Sequence, residues 1–207
     1  GNIGGAGDGP CPERAGGVTA VEEICNDLDE NCDGAIDIAS ALAGGPAQIR
    51  TDGAAPVLVL ETESDVLGIL GYHAAEQPDS ERFRLWEVAG TAHADKFLLG
   101  IAADMIECGG PVNDGPQQVV VRAALRHLDA WMRTGEAPPE APRFEITEGT
   151  APAYQRDADG IVLGGIRTPA VDAPTEALSG ENAADSVFCS LFGGSEPLTE
   201  PQLADLY

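Results

Sequence analysis

The chain has 207 residues, with 35 acidic and 11 basic side chains and a formal charge of −24. That charge argues against nucleic acid or an anionic membrane surface as the main partner. A hydrophobic fraction of 43% supports a packed core, while no apolar run reaches the roughly 18–20 residues that span a bilayer.

The length allows one ordinary domain, or one domain and a small module. No signal peptide is visible. The chain starts at Gly1 rather than Met and closes on the apolar helical pattern Pro201–Tyr207. We read a piece of a longer product, cut at both ends. Cysteines stand at positions 11, 25, 32, 108 and 189, with no Cys-x-x-Cys pair. With the acidic bias, they favour an oxidising setting: secreted, periplasmic or cell-surface. Cys25–Cys32 is expected as a local bridge and Cys108–Cys189 as a long-range one, leaving Cys11 over. The alternative is that all are buried thiols acting as small hydrophobes.

Residues 1–17 are Gly-rich, contain Pro10 and Pro12, and should be flexible. Residues 18–38 are acidic. Within them, Asp29-Glu-Asn31-Cys-Asp33-Gly34-Ala35-Ile-Asp37 has the order of the first nine positions of an EF-hand-like calcium loop. Alternating hard oxygen ligands wrap one cation there, and the glycine permits the sharp turn. Asp29, Asn31, Asp33 and Asp37, with the Ala35 carbonyl, are the expected Ca2+ ligands. Ser40 stands where the twelfth-position glutamate would be. The competing reading is an acidic loop stapled by Cys25–Cys32 with no ion. Residues 39–48 read as a linker, and from Ile49 the texture becomes globular.

Pro56-Val-Leu-Val-Leu60 has the length and β-branched content of a buried parallel strand. Phe83–Val88 reads as a second strand, buried on both faces. Val66–Glu76 between them should be helical, because parallel neighbours need a crossover. Gly115–Thr134 is the best helix: Gln117, Val120/Val121, Ala124/Leu125, Leu128 and Trp131/Met132 fall at helical spacing. Gly135 and Pro138-Pro139 end it. Arg143–Thr147 and Gly160–Ile166 read as shorter strands around the turn at Asp157-Ala-Asp-Gly160.

Each of the first two strands delivers polar residues at its C-terminal end, the edge where open α/β sheets build active sites. The stretches are Pro56-Val-Leu-Val-Leu-Glu-Thr-Glu-Ser-Asp65 and Phe83-Arg-Leu-Trp-Glu-Val-Ala-Gly-Thr-Ala-His93. This pair resembles the last two catalytic elements of the α/β-hydrolase superfamily, a strand ending in the orienting acid and a strand leading to Gly-x-x-His. Gly90-Thr-Ala-His93 matches the second, and Asp65 takes the acid position. The wording Arg-Leu-Trp-Glu-Val-Ala-Gly-Thr-Ala-His-Ala-Asp, with Pro111–Gln117, Gly164–Pro169 and Cys189–Gly193, is similar to bacterial α/β-hydrolase-domain proteins over residues 49–207. The stretch 11–38 resembles cysteine-bracketed acidic repeats of secreted bacterial surface proteins, described as metal-binding.

The resemblance implies the C-terminal part of an α/β-hydrolase sheet, incomplete, beside a small irregular calcium-loop-like module. It implies a serine-hydrolase-type, esterase-like protein acting on a small-molecule ester or other acyl substrate, with no cofactor for catalysis. Asp65 would orient His93, and His93 would take the serine proton. Glu61 and Glu63 rival Asp65, His73 and His127 rival His93, and a bond from His93 to Asp95 would leave only a loop histidine. No Gly-x-Ser-x-Gly occurs in the chain, so the nucleophile is expected outside it and this piece is expected to be inactive alone. The alternative function is a non-catalytic calcium-binding surface or structural module. Oligomeric state is not legible.

Overall fold

The computed structural model describes residues 47–207, apart from 69, 148, 150, 183–185, 187 and 207. The chain divides into two units, Gly1–Ala47 and Gln48–Tyr207, and the second is the one described. The proposed cation ligands Asp29, Asn31, Asp33, Ala35 and Asp37 lie outside the described residues, as do Cys11, Cys25 and Cys32.

Two strands organise this unit. β1 (Val57–Thr62) and β2 (Phe83–Val88) pair in parallel, with Val57 opposite Phe83 and Thr62 opposite Val88. Successive side chains alternate between faces. One face therefore carries Leu58, Leu60, Trp86 and Val88, and the other Val59, Glu61, Leu85 and Glu87. Both faces of β2 are covered, as its pattern predicts: Phe83, Leu85 and Val88 have no exposed surface.

The connection between the strands is less helical than expected. A single turn, α1 (Glu63–Val66), follows β1 directly, and a 3-10 turn occupies Tyr72–Ala75. Glycines account for the interruption. A Cβ on Gly68 would lie 2.0 Å from the Ser64 carbonyl oxygen, and Gly71 takes the left-handed φ of 59° that other residues rarely adopt.

The loop after β2 leads into α2 (Lys96–Leu99) and a 3-10 turn at Gly100–Met105. The long helix α3 (Gln117–Thr134) starts two residues later than its apolar spacing suggests, because Pro116 occupies the N-cap position. Gly135, with φ 78°, ends it as expected, its N–H bonding the Trp131 carbonyl. Val120 and Ala124 pack on Trp86 and Val88. Burying a valine side chain such as Val88 contributes about 1.5–3 kcal/mol. Trp131 is also buried, with the Arg84 guanidinium 5.7 Å from its ring centre. Leu125 and Met132, expected in the same stripe, are exposed.

Ile166 runs along the other edge of β2, its N–H bonding the Glu87 carbonyl and its carbonyl accepting from Ala89 N–H. Ile146–Thr147 (β3) and Ala153–Tyr154 (β4) form a short antiparallel pair. Gly160–Ile166 does not form the expected strand. Gly164 and Gly165, at φ 78° and 66°, break the extended backbone, leaving isolated bridges such as Val88–Ile166. After a short helix, α4 (Pro169–Asp172), an antiparallel pair unites β5 (Glu176–Ser179) with β6 (Gly194–Pro197), and α5 (Glu200–Leu206) follows.

Cys108 and Cys189 form the expected long-range disulfide, with Cα atoms 5.5 Å apart across 81 residues of sequence. It sits in a small core with Ala103, Val112 and Phe192. Closing a loop of that length restricts the unfolded chain by about 4.5 kcal/mol in the chain-entropy picture. Replacing both cysteines by alanine should lower the unfolding free energy by about 2–5 kcal/mol in urea titrations. An unchanged midpoint and slope would show that the bridge does not contribute.

Candidate active site

The parallel pairing puts the C-terminal ends of β1 and β2 on one edge, and two turns leave it side by side. Thr62, the last residue of β1, starts α1. Its N–H and hydroxyl both donate to Asp65 Oδ2, at 2.9 and 2.6 Å. An acidic residue three positions into a helix reaches back to the capping amide in this way. The interaction uses one carboxylate oxygen and aims the other outward. That second oxygen, Oδ1, lies 2.7 Å from His93 Nδ1.

Asp65 and His93 differ in solvent access. The Asp65 side chain is 7% exposed and that of His93 is 48% exposed. An ionised carboxylate only accepts hydrogen bonds, so the contact fits an imidazole with a proton on Nδ1, and in the neutral ring that leaves the lone pair on Nε2. The imidazole is thus anchored at one nitrogen and open along the rest of the ring.

The backbone of the His93 turn is held from several sides. The His93 N–H donates to Ser64 Oγ at 2.7 Å, and Glu63 N–H donates to the Thr91 carbonyl at 3.2 Å. Asn113 Nδ2 donates to the carbonyls of Gly90 and Ser179, at 3.1 and 2.9 Å. Gly90 turns the chain at φ 70°, and a Cβ there would lie 2.4 Å from Val171 Cγ1. Only glycine suits that corner.

Glu63 is fully buried and was invisible as a structural centre in the sequence. Its Oε1 accepts from Gly90 N–H at 2.7 Å, and its Oε2 accepts from Gly180 N–H and Arg156 Nη2, both at 3.0 Å. The Tyr154 hydroxyl donates to the Glu63 carbonyl and accepts from Leu67 N–H. Burial pushes the Glu63 carboxyl up, opposed by the Arg156 charge and the two backbone donors. Leaving such a donor without an acceptor would cost about 1–3 kcal/mol.

The rivals occupy other places. Glu63 faces Gly90, Gly180 and Arg156. Glu61 stands opposite Glu87 within the strand pair. His73 Nδ1 pairs with Glu76 Oε1 at 2.8 Å in the connecting segment. His127 lies on α3 with its ring edge-on to Trp86. Asp95 is the cap of α2, accepting from Leu98 N–H at 2.8 Å. Among the described residues, no group of three or more His, Cys, Asp or Glu side chains is arranged to hold a metal ion. No helix among them is long and apolar enough to cross a membrane.

The chain matches a family model described as an alpha/beta hydrolase domain over residues 7–207, and it belongs to that family. The matched span includes the acidic stretch at 18–38 as well as both strands. No curated protein and no solved structure matches the chain.

Glu61 and Glu87, opposite each other in the β1–β2 pair, form a carboxyl pair. Burial pushes Glu61 up to about 8, helped by the nearby charges of Asp65 and Glu87. Burial likewise pushes Glu87 up to about 7, against the Phe144 N–H that bonds its Oε2. Both are favoured as the protonated acid in the fold. Between their ordinary value near 4.5 and about pH 8, the folded state therefore binds more protons than the unfolded chain. Stability contributed by these groups falls with rising pH across that window. Urea midpoints at pH 5, 6, 7 and 8 should show this decline, and Glu61→Gln with Glu87→Gln should flatten it. An identical slope in the double variant would refute the assignment.

Proposed function

We propose that this chain supplies the general base and the orienting acid of a serine hydrolase of the carboxylic-ester type. The observation that carries the reading is the 2.7 Å contact from Asp65 Oδ1 to His93 Nδ1 at the shared edge of two parallel strands. In this reading His93 Nε2 takes the proton of a serine hydroxyl as its oxygen attacks the acyl carbon. The same nitrogen then returns the proton to the leaving alkoxide. Asp65 holds the tautomer and stabilises the imidazolium, while Thr62 keeps the carboxylate aimed.

The nucleophile lies outside these residues in this proposal, since no Gly-x-Ser-x-Gly elbow occurs in the sequence. The substrate is a small ester or other acyl compound. The Cys108–Cys189 bridge supports a secreted, periplasmic or surface location, where disulfides persist.

The chain alone should hydrolyse p-nitrophenyl acetate no faster than buffer. Hydrolysis that His93→Ala abolishes would place the nucleophile inside this chain. In the gene product extended to include a Gly-x-Ser-x-Gly segment, Asp65→Asn should lower kcat by about 10⁴-fold. An unchanged kcat in Asp65→Asn or His93→Ala would overturn the acid–base reading.

The calcium site at Asp29, Asn31, Asp33, Ala35 and Asp37 remains a separate proposal, resting on its ligand spacing. Calorimetry should give saturable heat with millimolar CaCl2, reduced by Asp29→Asn with Asp33→Asn. Absence of heat would leave an acidic loop.

A further inference from the structure

Glu63 combines features that local stability alone does not require. It is a charged side chain with no exposed surface, two residues before Asp65. Its carboxylate joins segments that are otherwise separate: the turn carrying His93, the turn after β5, and Arg156. The two oxygens divide the work. Oε1 accepts from Gly90, three residues before His93, while Oε2 faces Gly180 and Arg156. Arg156 also bonds Glu181 at 2.7 Å and lies 5.4 Å from the centre of the Tyr154 ring. The Tyr154 hydroxyl returns to the Glu63 carbonyl. Backbone and side chain of one residue are thus both held.

The space around this carboxylate is also specified. A Cβ on Gly180 would lie 2.4 Å from Glu63 Cβ and 2.6 Å from both Ser64 N and the Thr91 oxygen. The β5 turn therefore presses against the α1 turn and the His93 turn together. Across that contact, Gly90 N–H reaches Glu63 Oε1 at 2.7 Å.

We propose that Glu63 is a positioning residue for the Asp65–His93 pair, its buried carboxyl oxygens setting the register of the His93 turn so that Nδ1 meets Asp65. The proposal rests on the reading of that pair as acid and base. A merely structural Glu63 would affect stability and leave the histidine tautomer alone. A positioning Glu63 controls which ring nitrogen carries the proton.

Glu63→Gln in the 207-residue chain separates these roles. It keeps the shape but replaces an acceptor oxygen by an amino group that opposes a backbone donor. The readout is the pair of 15N ring resonances of His93. Wild type should show the Nδ1–H tautomer, and Glu63→Gln should convert it to a mixture with the Nε2–H form. The Trp86 and Trp131 indole resonances should stay in place, reporting an intact α3 face. A wild-type tautomer in Glu63→Gln overturns the proposal. A wild-type protein without the Nδ1–H form, or an Asp65→Asn variant that retains it, overturns instead the underlying acid–base reading.

If Glu63→Gln does not fold, amide exchange in the wild type decides. Gly90 and Gly180 N–H should exchange far more slowly than exposed amides. Exchange of Gly90 at the rate of an exposed amide would show that the clamp is not made.

Discussion

The turns that leave β1 and β2 run through the interior, where a backbone amide needs an acceptor and regular sheet pairing no longer provides one. Buried donors and acceptors are almost always satisfied in folded proteins. Here side chains take over where the strands stop. Asp65 accepts from Thr62, Ser64 from His93, and Glu63 from Gly90 and Gly180. Three consecutive residues of α1 each serve a different part of the same edge. The arrangement of Asp65 against His93 is a product of this accounting: Asp65 already has one oxygen committed to the cap, and only the other is available to the imidazole.

Close approach is the second requirement. The turns are near enough to share side-chain acceptors because glycines sit where they touch. Gly90 abuts Val171 and Leu178, and Gly180 abuts Glu63, Ser64 and Thr91. Gly193 meets the Ser179 carbonyl oxygen in the same way, at 2.2 Å for an added Cβ. Larger residues at these points would push the turns apart by more than a hydrogen bond tolerates. Asn113 then ties the assembly from the other side, with its amide donating to Gly90 and Ser179 and its Oδ1 accepting from Gly115 at 2.8 Å.

Much of this frame can be read from local pattern. The apolar run before Glu61, the two-sided β2, the helix ended by Gly135 and the chain order of Asp65 and His93 all depend on neighbours in sequence. So does the terminal helix at Glu200–Leu206. Residues whose role is made by distant partners could not be read that way. Glu63 meets Gly90, Arg156 and Gly180 across 27, 93 and 117 residues. Beside Asp65 the local pattern makes it a rival for the orienting acid, and nothing near it in sequence marks it as a link between distant turns. The stretch 160–166 misled in the opposite sense, since its apolar residues suggest a strand while Gly164 and Gly165 take conformations a strand excludes. The β5–β6 pair lacks alternation altogether, and it forms between segments that flank Cys189.

The placement of these partners along the chain has a consequence for biosynthesis. β1, α1, β2 and His93 leave the ribosome before the groups that fix them. Arg156 and Gly180 complete the Glu63 contacts, the Leu191 carbonyl receives Ala94 N–H at 3.0 Å, and the Gly194 carbonyl is a further acceptor near Asn113. A nascent chain that has emerged only as far as α3 holds both members of the acid–histidine pair without the framework that aligns them. The alignment of Asp65 with His93 therefore waits until residues 156–194 have been made, and the bridge from Cys108 to Cys189 needs the same stretch of chain.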